Sequence, residues 1–298
     1  MTYEQFLTDI LTHIQERLPA STEVELRKIQ KNNDQLLDGL VFCDKDANAS
    51  PTIYLNGFYK KWEKEHASIE EICAEILVQY EQNRIREPMD FSFFSDFAKL
   101  KDHIIFRIIN RELNTGLLSD IPHIDYLDLS ITFLVLLSLH EESDATITIS
   151  NAHMAMWGTN TEELFSLAKQ NTPRLLSWDM SSMRDVLSSL DPSSEELLPR
   201  PDELAFPMYV LTNRIRVHGA GCILYDNLLS QLSREVDDDL YIIPSSIHEV
   251  LLIPRALADE EKVLNSMICE VNRTQVPHDE ILSDHVYRYS RARDAIVY

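Results

Sequence analysis

Apolar residues at Phe6, Ile10, Leu11, Ile14 and Leu18 recur at helical spacing, Thr2 and Gln5 spell a capping box, and Pro19 stops the run. The chain therefore opens with a helix that has one face to cover. Alternation follows, with Val24, Leu26 and Ile29 in one run and Leu37, Leu40 and Phe42 in the next, separated by Lys31-Asn-Asn-Asp34, which predicts a hairpin. Thr52 to Leu55 adds a short strand after Pro51. Ser68-Ile-Glu-Glu71 is a second capping box, opening a helix striped by Ile72, Ile76, Leu77 and Tyr80 that ends before Pro88. Asp90 to Leu100 carries Phe91, Phe93, Phe94 and Phe97 among acidic neighbours, which predicts a short core helix rather than a base-stacking platform.

Ile104 to Ile109, Leu129 to Leu139 and Ala145 to Ser150 are rich in β-branched and bulky apolar residues and read as neighbouring strands, the last two joined by the polar turn His140 to Asp144. A helix starts at Thr161 and ends near Asn171-Thr-Pro173. Prolines at 192, 199, 201 and 207 among Ser, Glu and Asp predict a linker or surface loop over 191–206, dividing an N-terminal α+β region (1–190) from a C-terminal one (207–298), with a single integrated domain as the alternative. Beyond it the expected order is a strand (Met208 to Thr212), a glycine turn, a helix (Cys222 to Glu235), strands at Leu240 to Ile243 and Val250 to Ile253, and helices from Asp259 and Asp279. Strands and helices mix without βαβ repetition. The expected class is α+β, with mixed or antiparallel sheets and flanking helices.

Composition narrows the partners. The 298 residues include 49 acidic and 27 basic side chains, a formal charge of −22. Such a surface repels phosphate backbones and anionic lipid, so neither conventional nucleic-acid binding nor membrane binding is expected. The acidity is spread along the chain, densest at Arg234 to Asp239. An array of carboxylates imitating nucleic acid, and so inhibiting a nucleic-acid enzyme, is the more specialised alternative. The start Met1 to Phe6 lacks the basic and apolar regions of a secretory signal, and the most apolar window, Ile131 to Leu139, is too short to span a bilayer, so a cytoplasmic location is expected. Cysteines 43, 73, 222 and 269 form no C-x-x-C pair and are expected to be reduced thiols, mostly buried.

Two stretches hold candidate chemistry. In Ile243-Pro-Ser-Ser-Ile-His-Glu-Val250, Ser245 or Ser246 could act as a nucleophile with His248 as base, or His248 and Glu249 could take a metal. H-E-x-x-H fails because Leu252 stands at the second histidine position, and G-x-S-x-G fails for want of glycines. The competing account is a local cap or turn with a hydrogen-bonded core imidazole. In Asn213-Arg-Ile-Arg-Val-His-Gly-Ala-Gly-Cys222, the basic cluster Arg214, Arg216 and His218 beside Gly219 and Gly221 suits an anionic ligand, or a tight turn with solvated charges; Leu224 breaks the dinucleotide fingerprint. Lys31 with Asn32 and Asn33 could present a cation and two amides, although hairpin turns favour the same asparagines. Asp44 to Ser50 begins like a calcium loop but lacks its glycine and closing glutamate. His123, His140 and His153 have no metal spacing, and no metal or cofactor is expected.

Lys31-Asn-Asn33, Pro51 to Asn56, Ile121-Pro-His123 with Asp128-Leu129, Trp157-Gly158 before Glu163-Leu164, Tyr209 to Asn213, Gly219-Ala220 and Pro244 to Glu249 together resemble a family of uncharacterised proteins, a domain of unknown function common in anaerobic Gram-positive bacteria. The likeness spans almost the whole chain. The Pro244 stretch is also similar to a second uncharacterised Gram-positive family. The resemblance implies a bacterial cytosolic setting and one integrated unit, and it carries no catalytic residue. The resulting expectation is a binding or interaction protein, non-catalytic, whose partner is a protein or a small anionic ligand. Lys31, Asn213, Arg216, Gly219 and His248 are its candidate ligand residues, and a hydrolase built on His248, Glu249 and Ser245 or Ser246 is the alternative.

Overall fold

The computed structural model describes residues 1–45, 47, 50–84, 92–140, 143–190 and 208–298. The chain forms two compact units, Met1–Lys31 with Gln35–Phe93, and Asn32–Asp34 with Phe94–Tyr298. The class is α+β, and every strand pairing among the described residues is antiparallel.

The first unit holds α1 (Tyr3–Gln15), β1 (Thr22–Gln30), β2 (Leu36–Asp44), β3 (Thr52–Tyr54), α2 (Asn56–Glu65) and α3 (Ile69–Asn83), with sheet order β1-β2-β3. Both capping boxes form, Thr2 with Gln5 and Ser68 with Glu71, satisfying N–H groups that the first helical turns leave unbonded. Phe6, Ile10 and Ile14 from α1, Leu40 and Phe42 from β2, and Ile72, Ile76 and Tyr80 from α3 share one core. Full burial of each such side chain contributes roughly 1.5–3 kcal/mol. The unforeseen helix is α2. It buries only Phe58 and has no side-chain cap, so neither a stripe nor a capping signal marks it.

The second unit runs α4 (Phe97–Leu100), β4 (Ile104–Asn110), α5 (Thr115–Asp120), β5 (His123–Tyr126), β6 (Leu129–His140), β7 (Ser143–Thr148), α6 (Asn151–Trp157), α7 (Thr161–Leu175), β8 (Trp178–Ser182), α8 (Met183–Leu190), β9 (Tyr209–Asn213), α9 (Leu228–Glu235), β10 (Leu240–Ser246), β11 (Glu249–Pro254), α10 (Glu261–Thr274), β12 (Tyr287–Ser290) and β13 (Ala295–Val297). The long apolar β6 is the spine of one sheet, flanked by β4 on one side and by β5 and β7 on the other. The outer edge of β4 is covered by α7: the Phe106 N–H donates to Thr172 Oγ1 at 3.0 Å, and Asn171 Nδ2 donates to the Ile104 carbonyl at 3.0 Å. An edge strand is thereby closed to further pairing. The second sheet is ordered β13-β12-β10-β11-β9-β8. Leu264 and Ile268 of α10 pack with Tyr241, Ile243 and Ile253 of that sheet.

Several expectations are corrected. The helix expected over Cys222 to Glu235 is a 3-10 turn, Gly219–Leu224, followed by the shorter α9, because Asn227 adopts a left-handed φ of 64° between them. The helix expected from Asp279 is a 3-10 turn, His278–Glu280, and the tail then becomes β12 and β13, since Tyr287 and Tyr289 alternate with period two and pair with β10. Helix α7 runs past Pro173 to Leu175 and is capped by Asn160. The linker expected over 191–206 lies outside the described residues, as do Phe91, Pro88 and parts of the 140–144 turn and the calcium-like loop. Strands β8 and β9 on either side of it are neighbours in one sheet.

The asparagines of the hairpin turn are tied into the second unit, although Asn32 Oδ1 is buried without a partner among the described residues. Asn33 and Asn114 exchange hydrogen bonds, Asn33 N–H to Asn114 Oδ1 and Asn114 Nδ2 to Asn33 Oδ1, both 2.7 Å, with the two residues 3% and 0% exposed. Asn33 Nδ2 also donates to the carbonyls of His278 and Ile281, and Asn32 Nδ2 to that of Asp279. The Asp34 carboxylate accepts the Gly116 and Leu117 N–H groups at the start of α5. Truncating either partner of the amide pair strands buried polar groups. N33A and N114A should each lower stability by about 2–4 kcal/mol, and the double variant should cost clearly less than the two single losses added, as read from urea denaturation.

Candidate functional site

Three segments converge in the second unit: the end of β9 at Asn213, the loop 214–218 leading into Gly219–Leu224, and the β10–β11 turn carrying Ser245 to Glu249. Most of their polar groups are spent on backbone. Asn213, 1% exposed, donates from Nδ2 to the Val217 carbonyl at 2.8 Å and accepts the Ile215 N–H on Oδ1, closing the loop. Thr212 Oγ1 donates to the His248 carbonyl, and the Ala220 N–H to that of Ile247. Gly219 sits in this weave with no room for a side chain: a Cβ there would crowd Thr212 Oγ1 and lie 2.5 Å from the His248 carbonyl and 2.7 Å from the Asn213 nitrogen. Asn213 and Gly219 thus hold the loop together. Arg216 is exposed, with a left-handed φ of 54°. Lys31 belongs to the first unit, where its ammonium lies 4.3 Å from the centre of the Tyr54 ring.

The serines, too, have local duties. Ser246 Oγ accepts the His248 N–H at 3.0 Å, and Ser245 Oγ donates to Glu249 Oε1 at 3.4 Å. Among the described residues neither hydroxyl bonds to the imidazole. His248 instead accepts the His218 N–H on Nδ1 at 3.2 Å, which places its own ring proton on Nε2, facing Glu280 Oε1 at 3.9 Å. The Glu280 carbonyl in turn receives the Ile247 N–H. The rings of His218 and His248 lie nearly parallel, 5.8 Å apart. His218 itself takes a left-handed φ of 58°, and its Nδ1 is buried without a hydrogen-bond partner among the described residues. Burial first, then the nearby Arg107 and His248, push the His218 imidazole down to about 3. It is neutral at ordinary pH.

Arg107 is the residue that sequence reasoning missed. It lies in the middle of β4, half-buried, and burial lowers its guanidinium to about 10. The signal was present: Ile104-Ile-Phe-Arg-Ile-Ile109 interrupts an otherwise apolar strand with one charge. Of the other histidines, His123 Nδ1 bonds the Ile121 carbonyl and His153 completes a capping box with Ser150. No group of three or more metal-ligating side chains occurs among the described residues. A separate cleft of about 300 Å³ is walled by Tyr126, Tyr225 and Tyr289.

The model of a family of unknown function, DUF5688, matches residues 3–291. The chain belongs to this family. No curated protein and no solved structure matches it. The DUF5688 match takes in Asn33, Arg107, His218 and His248 alike, so the hydrogen-bonded turn and the two-histidine corner both fall within the family domain.

Two outcomes follow from this geometry. G219A should cost at least about 2 kcal/mol through overpacking, whereas G57A, in α2 where a Cβ meets nothing within 4 Å, should be neutral or stabilising by up to about 1 kcal/mol, both read by urea denaturation. Because His218 resists protonation when folded but not when unfolded, the unfolded chain takes up its proton first as pH drops below about 6.5. Stability should therefore fall by up to about 1.4 kcal/mol per pH unit from there toward pH 3, and H218Q should flatten the slope measured between about pH 7 and about pH 5.

Proposed function

We propose that this DUF5688 protein is a non-catalytic binding protein of the bacterial cytosol and that the His218–His248 corner is its recognition surface. One observation carries the reading: a buried, unpartnered imidazole nitrogen on His218 stands beside a second imidazole whose Nε2 edge is open, while every neighbouring hydroxyl and amide is already engaged. Buried polar atoms are normally paired, and an orphan donor or acceptor at a partly open place suits a ligand. The hydrolase alternative draws less support. A serine nucleophile needs its base within hydrogen-bond reach, and here Ser246 receives a backbone N–H, Ser245 faces a carboxylate, and the imidazole nitrogen that would take the proton is filled by a backbone N–H.

A fluorophosphonate probe, which marks activated serines, separates the two. Intact mass after treatment should show no adduct. Labelling at Ser245 or Ser246 that disappears in H248A would restore the hydrolase. H248A itself should lose about 1–2 kcal/mol, since the His218 N–H is left without its acceptor, and it should lose whatever ligand a thermal-shift screen of small metabolites finds for the wild-type protein.

A further inference from the structure

We propose that Arg107 and His218 together form the binding site for a small carboxylate, an inference that deepens the binding function above and rests on it. A guanidinium carries five N–H donors and no acceptor. Arg107 makes one hydrogen bond among the described residues, Nε to Thr132 Oγ1 at 3.3 Å, and no ion pair. In a chain with 49 acidic side chains this is conspicuous, since Arg84, Arg111, Arg288 and Lys101 all lie against carboxylates. Strand register explains why Arg107 is spared. Its cross-strand neighbours on that face are Thr132 and, beyond it, His123, and its neighbours along the strand on that face are Ile105 and Ile109. None of these neighbours is acidic, and Asp125, two residues along from His123, lies against Arg111 and Ser130 instead.

The loop brings the second donor. Ile215 packs against the cluster of Ile105, Leu134, Leu136 and Leu176, and Gly221 is held close to the Phe106 ring, so the segment between them, with His218, is fastened near β4. A half-buried guanidinium without a counter-charge is unfavourable, and a bound anion offsets that cost. The arithmetic of charge selects which anion. One cationic guanidinium and one neutral imidazole offer a single positive charge, a planar fork of two N–H groups and one further donor, which matches a monocarboxylate. A phosphate dianion would be undercompensated there, and the net charge of −22 opposes its approach more strongly.

The test uses the whole chain, with thermal shift and isothermal titration calorimetry in acetate or benzoate against chloride and inorganic phosphate at equal ionic strength. Wild type should be stabilised by the carboxylates and not by phosphate. In R107M the carboxylate response should vanish while the protein in chloride melts at or above wild type, because an unpaired, half-buried charge has been removed; R107K, which keeps the charge and loses the fork, should bind about tenfold more weakly. H218F should also weaken carboxylate binding, which keeps the proposal testable should R107M fold poorly. An undiminished carboxylate response in R107M or R107K overturns the site, and phosphate stabilising more than acetate overturns the ligand class. A neutral ligand that binds wild type but not H248A would leave the histidine corner as a binding surface and refute the carboxylate. Absence of any response of wild type to acetate or benzoate overturns the carboxylate site and leaves the binding reading to the metabolite screen above.

Discussion

The second unit depends on a pair of buried amides. Asn33 and Asn114 give each other a donor and an acceptor, and the spare donors of Asn33 then reach the carbonyls of His278 and Ile281. A buried primary amide that lost any of these partners would be left with an uncompensated polar group, so the arrangement is nearly all or none. Its consequence extends well beyond the turn. The segment it holds carries Glu280, whose carbonyl takes the Ile247 N–H and whose carboxylate faces His248. The placement of the candidate imidazole is thus referred back, through one short stretch of backbone, to Asn33, more than 200 positions earlier in the chain.

The same economy recurs in the second unit. Asp34 caps α5, Asp128 accepts from Ser283 and Tyr287 at 2.6 Å each, Thr172 and Asn171 close the edge of β4, and Asn213 closes a loop. Apart from Asp128, whose donors are side-chain hydroxyls, these side chains that look like ligand-binding groups prove to be the partners of backbone groups that would otherwise be buried unbonded. Among the described residues of this unit, what remains after this allocation includes Asn32 Oδ1, Arg288 Nε, an imidazole nitrogen on His218 and most of the guanidinium of Arg107, of which His218 and Arg107 lie near one another. Chemistry, where a protein of this kind has any, resides in the polar groups the fold does not consume.

Local signals were legible where local physics decides. The capping boxes at Thr2 and Ser68, the hairpin over β1 and β2, and the apolar runs of β4, β6, β10 and β11 need only nearest neighbours and a period of 3.6 or 2. Helix α2 left no trace because it buries one side chain, and the tail beyond Asp279 misled because acidic residues that suit a helix start precede a strand whose tyrosines find their register against β10. In the Lys31-Asn-Asn33 and Pro244 to Glu249 stretches the sequence shows which polar residues stand together, but not which backbone groups they serve.

By itself the sequence determined the α+β class, the amphipathic elements and the acidic surface, since these follow from composition and short-range periodicity. Only the tertiary structure decided that Asn213, Gly219 and Ser246 serve the backbone while Arg107 and His218 stay unspent. The reason is that satisfaction of a polar group is a property of its partners: Asn213 and Ser246 meet theirs two to four residues away only because the surrounding sheet closes those turns, while Asn33 meets its own 81 to 248 residues away through contacts that no local pattern encodes.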